Sequence, residues 1–217
     1  MPRHATRLGR PALLTALLGA LSAALLVPVV LAWPPLVAFD ARLARTAHGW
    51  ALGLDAVTRL NRVLSDWVWD PWTMRALATV ACVWLWRQGA RLPALLLAVS
   101  CVVGTLVQQA MKALVDKDRP RWQHPVDSAD SAAFPSGHAM TATVVCGLLL
   151  WLLRRQGLAG APWTAALSAA LVSVLGVGVT RVWLGVHWPS DVLGGWLFGG
   201  LTVALAVGAY RHRAARV

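Results

Sequence analysis

Three separated stretches of this chain carry residue types that suit a phosphate group. The first is Lys112-Ala-Leu-Val-Asp-Lys-Asp-Arg119-Pro120, the second is Pro135-Ser136-Gly137-His138, and the third runs from Thr180-Arg181 to His187 and Asp191. A phosphate monoester is a dianion near neutral pH, and its transfer depends on positioning and charge stabilisation. Arg119 and Arg181 can each offer a planar fork to two phosphate oxygens, and Lys112 adds a point charge. Ser136 supplies a hydroxyl, and Gly137 lets backbone N–H groups approach an anion at a helix start. A neutral His187 is a nucleophile that can form a phosphohistidine. Asp191 lies four residues on, and can orient the ring across one helical turn or across a cap at Pro189. His138 can protonate the leaving oxygen and then deprotonate a water; an unperturbed pKa of about 6.5 suits both tasks.

Each stretch sits at the edge of a long apolar run, where charge is costly. Hydrophobic residues make up 58% of the 217 and charged residues 13%. A soluble domain carries about 25% charged residues, so the composition predicts an integral membrane protein. Apolar runs occur near 11–33, 72–86, 93–111, 138–153, 162–180 and 191–210. A crossing takes about 20 helical residues, and the second and fourth runs are the short ones. The expected fold is therefore all-α: one domain over 1–217, a six-transmembrane-helix bundle with its motif-bearing core at 93–210.

Six crossings put both termini on one side. The segments on that side hold Arg3, Arg7, Arg10, Arg87, Arg91, Arg154, Arg155, Arg211, Arg213 and Arg216 and no acid. The opposite segments hold all nine aspartates. The positive-inside rule then predicts an N-in, C-in topology. Lys112, His138, Arg181 and Asp191 all fall at outer helix ends, so topology alone brings the three stretches to one face. The net charge of +11 is a topology signal. No basic patch interleaves with aromatics in a soluble segment, which argues against nucleic-acid binding.

The outer segment 34–71 carries Leu54, Val57, Leu60 and Leu64 at helical spacing. This predicts a short amphipathic helix, lying on the membrane or packed over the bundle. Pro120, Pro125 and Pro135 keep the 112–136 segment irregular. His4, His48, His124 and His212 read as surface residues, and Lys117, Asp118 and Arg121 as solvated loop charges. Arg75 is expected to snorkel outward or to give a second phosphate contact. Bland alternatives exist at the motifs: an Arg181–Asp191 ion pair between helices, and a snorkelling Lys112. Arg3, Arg7 and Arg10 before an apolar run also fit a signal peptide. The run exceeds the roughly 7–15 apolar residues of such a leader, which favours an uncleaved first helix. Cys82, Cys101 and Cys146 show neither disulfide nor zinc spacing. Trp33, Trp67, Trp69, Trp72, Trp84, Trp86, Trp151, Trp163 and Trp188 cluster near helix ends, as interfacial belts do.

The motifs resemble those of the type 2 phosphatidic acid phosphatase family, which shares its site with the vanadium haloperoxidases. Lys112, Arg119 and Pro120 fit a motif of Lys, six residues and Arg-Pro. Pro135 to His138 fit Pro-Ser-Gly-His. Arg181, His187 and Asp191 fit Ser-Arg, five residues, His, three residues and Asp, with Thr180 in place of the serine. The resemblance implies His187 as nucleophile, His138 as acid and base, and Asp191 as orienter. It implies Lys112, Arg119, Ser136, Gly137 and Arg181 as phosphate ligands, a six-helix membrane core, and no metal or other cofactor. Haloperoxidases themselves are soluble, which six apolar runs disfavour.

The expected activity is hydrolysis of a lipid phosphomonoester or diphosphate through a phosphohistidine. The expected place is a bacterial inner membrane, with the lipid entering from the outer leaflet. Candidate substrates are undecaprenyl diphosphate, phosphatidylglycerophosphate, phosphatidic acid and diacylglycerol pyrophosphate, with a lean towards the first. A lipid phosphotransferase would use the same site with a lipid acceptor in place of water. A non-catalytic lipid or anion transporter is the rival from another class; inverted repeats and broken helices, its usual marks, are absent from the sequence.

Overall fold

A computed structural model describes residues 9–214. Arg3, His4, Arg7 and Arg216 lie outside the described residues, while the apolar run at 11–33 is described. The described elements are helical: α1 (Arg10–Val30), α2 (Pro34–Gly53), α3 (Asp55–Val63), a π-helical turn (Leu64–Val68), α4 (Pro71–Arg87), α5 (Arg91–Val115), α6 (Gly137–Arg155), α7 (Gly160–Trp183) and α8 (Pro189–Ala214). Prolines open α1, α2 and α4 at the first turn, where their missing N–H costs nothing. Asp70 caps α4 by accepting from the Trp72 N–H at 2.7 Å.

Among the described residues five helices, α1, α5, α6, α7 and α8, are long and apolar enough to cross a membrane. α4 covers the expected second crossing with 17 residues. That is roughly 25 Å of helix against about 30 Å of hydrocarbon. Leu17, Val99, Val102, Leu106, Val172 and Val179 lie exposed on the outer faces of these helices, as side chains meant for lipid would.

α6 is the central post. It packs on α8, α7, α5 and α4, while α1 leans on α8 and α4 on α5. Its buried Met140, Val144, Val145, Leu148 and Leu152 join Met74, Ala78, Leu97 and Val177 in the core. Glycines let α8 approach α6 closely. A Cβ at Gly195 would lie 2.7 Å from the Ser136 carbonyl oxygen, and one at Gly199 would lie 2.8 Å from Thr143. At one end of the bundle the Arg155 guanidinium sits 4.6 Å over the Tyr210 ring. The motif residues gather at the other end.

Several expectations need correction. Segment 34–71 is not a loop with one short helix; it is helical almost throughout. α2 buries Asp40, Ala44, His48 and Ala51 as one stripe and packs on α7 and α8. His48 is therefore buried, stacked on Trp122 at 4.1 Å, because α2 rides over the bundle. α3 does carry the amphipathic pattern, with Val57, Leu60 and Val63 exposed. Trp69 is 7% exposed and packs in the core instead of a belt, in space left by Gly176.

Gly195→Ala is expected to lower the melting temperature in detergent, since overpacking against backbone costs about 1–3 kcal/mol. Gly208→Ala is the control, because no atom of the described residues lies within 4 Å of its Cβ position; its melting temperature should hold or rise slightly.

Candidate active site

The turn between α7 and α8 presents His187. Gly185 there has φ of +70°, and a Cβ on it would lie 2.5 Å from the Trp122 indole nitrogen. Only glycine fits both demands. That indole donates to the Gly185 carbonyl at 2.8 Å and pins the turn. Asp191 follows in the first turn of α8. Its Oδ2 lies 3.4 Å from His187 Nδ1 and accepts from the Trp188 N–H at 2.8 Å. The pair thus meets across the cap at Pro189, not along a continuous helix. His187 and Asp191 are 2% and 0% exposed.

The second ring nitrogen of His187 faces Arg119, whose Nη1 is 3.2 Å away. Arg119 is aimed by three carbonyls, donating to Val186 at 2.6 Å, Ser131 at 2.8 Å and Asp130 at 3.0 Å. Arg181 comes from the end of α7 and is 4% exposed. Its Nη1 donates to Ser65 Oγ at 2.7 Å and lies 3.9 Å from Asp127 and 4.0 Å from Asp66. Its Nε has no hydrogen-bond partner among the described residues, and neither has the buried hydroxyl of Ser136. Buried donors without acceptors are costly, and an anion between them would satisfy both.

The Ser136-Gly137-His138 turn is bolted to α8, because the Ser136 N–H donates to the Asp191 carbonyl at 2.9 Å. Ser136 makes no side-chain cap for α6, so its hydroxyl is free for another acceptor. Gly137 sits against Gln108, whose Nε2 would be 2.6 Å from a Cβ there, so a larger residue would have to push that side chain aside. His138 Nε2 lies 3.8 Å from Asp70 Oδ2, and the cations of Arg181, Arg119 and Lys112 are its neighbours. Lys112 is buried and donates to Ser131 Oγ at 2.9 Å and the Ala132 carbonyl at 2.6 Å.

All eight expected site residues therefore gather at one end of the bundle. The bland alternatives fail on contacts: Arg181 pairs with Asp66 and Asp127 instead of Asp191, and Lys112 does not snorkel. Arg75 packs half-buried, 5.2 Å from the Trp72 ring. Lys117 needs correction. It is no solvated loop charge: its ammonium contacts Asp191 Oδ1 at 2.8 Å, Ser190 Oγ at 2.7 Å and Asp40 Oδ2 at 3.0 Å. Asp118 and Arg121 do form an exposed pair. Sequence reasoning also missed Ser65, Asp66, Asp70, Gln108 and Asp127. None has a motif spacing; Ser65, Asp66 and Asp127 meet Arg181 where the π-helical turn and the 116–136 loop fold back, Gln108 meets Gly137 from α5, and Asp70 approaches His138 from the start of α4.

Burial pulls His187 down to about 4, against the hydrogen bond and charge of Asp191, while Arg119 and Arg181 act with burial. The ring is neutral at pH 7 and its outer nitrogen keeps a lone pair. Burial also lowers Arg119, and it raises Asp66 with help from the Asp127 carboxylate.

The PAP2 superfamily model matches residues 93–214. This chain belongs to the PAP2 superfamily. Phosphatidylglycerophosphatase B of Bacillus subtilis is 35% identical over 111 residues, 49% of this chain and 54% of its own. Undecaprenyl-diphosphatase of Sulfolobus acidocaldarius is 26% identical over 153 residues, 68% of this chain and 66% of its own. Decaprenylphosphoryl-5-phosphoribose phosphatase of Mycobacterium tuberculosis is 36% identical over 111 residues, 48% and 55% of the two chains. The matches thus span from 54% to 66% of these relatives' lengths. A crystal structure of a transmembrane PAP2-type phosphatidylglycerolphosphate phosphatase from Bacillus subtilis superposes with a TM-score of 0.70 at 22% identity. It covers 94% of this chain and 96% of that one. The PAP2 membrane fold therefore reaches beyond the matched region to nearly the whole chain. With five membrane-length apolar helices, this PAP2 protein is an integral membrane protein.

A folded pKa near 4 below the ordinary 6.5 means that folding expels a proton from His187 in that window. The unfolded state binds more protons there, so stability falls as pH drops from 6.5 towards 4 and is unaffected above 6.5. His187→Asn should flatten the pH dependence of the melting temperature across that window, on the order of 1–3 kcal/mol. An unchanged profile would contradict a buried neutral ring.

Proposed function

We propose that this protein is a lipid phosphate phosphatase that works through a phosphohistidine. The observation that carries this reading is His187 itself. One ring nitrogen is on Asp191, the other is beside Arg119, and unpartnered donors of Arg181 and Ser136 lie buried in the same cluster. Arg119, Arg181, Lys112, Ser136 and the N–H groups of Gly137 and His138 at the start of α6 bind the phosphoryl oxygens. His187 Nε2 attacks phosphorus as the bond to the leaving oxygen breaks, and protonated His138 gives that oxygen its proton. Asp191 stabilises the charge that develops on the ring. Neutral His138 then takes a proton from water, the hydroxide attacks phosphorus, and the P–N bond breaks to release phosphate and neutral His187.

The remaining topology belongs to the same reading. α4 completes a six-helix bundle, short for its task and flanked by Trp72, Trp84 and Trp86. Arginines at the end away from the site, Arg87, Arg91, Arg154 and Arg155, support N-in and C-in. The site then faces outward from a bacterial inner membrane and takes its lipid from the outer leaflet. Two relatives are named for phosphatidylglycerophosphate and undecaprenyl diphosphate, and these lipids are the first substrates to try.

The test is phosphate release from each lipid by detergent-purified wild type and His187→Ala, with EDTA present. Release by wild type, indifferent to chelator and lowered at least about 1000-fold in the mutant, supports the scheme. Arg119→Ala and Arg181→Ala should each cost roughly 100- to 1000-fold. Equal release by wild type and His187→Ala would remove His187 as nucleophile, and a phosphorylated lipid in place of free phosphate would indicate transfer to a lipid acceptor.

A further inference from the structure

We propose that Lys117 is a positioning residue for the His187–Asp191 pair, and that Asp40 of α2 and Ser190 hold it in place. The proposal rests on the phosphatase reading for its kinetics, but its geometry stands apart from it. An ammonium has three donors, and Lys117 directs all three inward: to Asp191 Oδ1 at 2.8 Å, Ser190 Oγ at 2.7 Å and Asp40 Oδ2 at 3.0 Å. Asp40 in turn accepts from the Ser190 N–H at 2.9 Å and from the Ser190 hydroxyl. Asp40 and Ser190 are each 3% exposed, and Asp191 is fully buried.

The arrangement divides the labour of Asp191 between its two oxygens. Oδ1 is taken by Lys117, and Oδ2 is left to His187 and the Trp188 N–H. Rotation of the carboxylate would break contacts on both sides. Lys117 is also the one cation within salt-bridge distance of Asp191 among the described residues, apart from His187 itself. A buried carboxylate without a cation is costly and rearranges or neutralises. Either change would loosen the hydrogen bond that holds the ring with Nδ1 protonated and Nε2 free to attack. A plain fastener between α2 and α8 is the competing account. It would change stability and leave the ring untouched.

Asp40 lies outside the region 93–214 that matches the family model. α2, which the motifs do not include, thus reaches into the pair through one carboxylate. Ser190 serves twice, as neighbour in sequence to Asp191 and as the point where Asp40 and Lys117 meet.

Two readouts test the proposal. The first is kcat and KM for phosphate release from whichever lipid phosphate the wild type hydrolyses, for Lys117→Met, Lys117→Arg, Asp40→Asn, Asp191→Asn and the Lys117→Met/Asp191→Asn double variant. Lys117→Met should lower kcat roughly 10- to 100-fold, the size of loss seen when a partner that orients a metal-bound histidine is removed, with KM within about threefold. Lys117→Arg should recover most of that loss. In the Asp191→Asn background Lys117→Met should cost less than about threefold more, because both act through one carboxylate. The second readout is the nitrogen NMR signal of His187 in detergent micelles, assigned with His187→Asn. Wild type should show Nδ1 protonated, and Lys117→Met should shift the population towards the other tautomer.

If Lys117→Met does not fold, Asp40→Asn and Lys117→Arg carry the comparison, with the kcat of Asp40→Asn expected to fall and its KM to hold. Unchanged kcat and an unchanged His187 signal beside a lowered melting temperature would overturn the proposal in favour of the fastener. Equal losses in both Asp191 backgrounds would overturn it too. A wild type that hydrolyses no lipid phosphate would overturn the phosphatase reading instead, and the NMR comparison would still decide the role of Lys117.

Discussion

Everything at the site end of this molecule depends on one buried carboxylate residue. Asp191 accepts from His187 on one oxygen and from Lys117 on the other, and its backbone carbonyl accepts from the Ser136 N–H. Those three contacts join the segments of chain that carry the three motifs. A fully buried aspartate is stable only when its charge and lone pairs are met, so the segments that meet them are locked to the start of α8. Distances elsewhere in the site follow from that lock. Arg119 reaches His187 because the 116–136 loop is tied down by Lys117 at one end and Ser136 at the other.

The bundle must come close enough for such short polar contacts to form. α8 approaches α6 over Gly195 and Gly199, and α7 accepts Trp69 and Trp196 against Gly176 and Gly178. Small residues at helix crossings are the usual means of close packing where water supplies no hydrophobic force between helices. Here they have a second effect. They set the separation between the Ser136 turn and the Asp191 cap, and so the width of the cluster that lies between Arg181 and His187.

Much of this was legible in the sequence, and the boundary has physical causes. Hydrophobic runs reported the helices because a span must be apolar along its whole length. Motif spacing picked out Arg119, Ser136, His138, Arg181, His187 and Asp191, which the fold gathers at one end because each lies at a helix end or in a connection beside one. Lys117 was misread because its partners lie 73 to 77 residues away, and a charge among prolines and aspartates looks the same whether its loop folds inward or not. Asp40 had a usable signal, since it shares helical spacing with Ala44, His48 and Ala51. Weighing that stripe would have turned 34–53 from a loop into a packed helix, and would have moved His48 inside. Ser65 and the π-helical turn had none, because a single widened turn leaves no periodic trace.

Asp66 and Asp127 stand about 4 Å from the Arg181 guanidinium, in a cluster that would otherwise be strongly cationic. Under the phosphatase reading their presence moderates the grip of the site on the substrate phosphate. A guanidinium already facing carboxylates gains less from a dianion than a bare one would, because one pairing is exchanged for another. Under the phosphatase reading both the ester and the inorganic phosphate left after hydrolysis are bound by the same cations. A cluster without acids would hold that second anion as firmly as the first and stall. Under that reading the two aspartates weaken both alike, which favours turnover over tight capture.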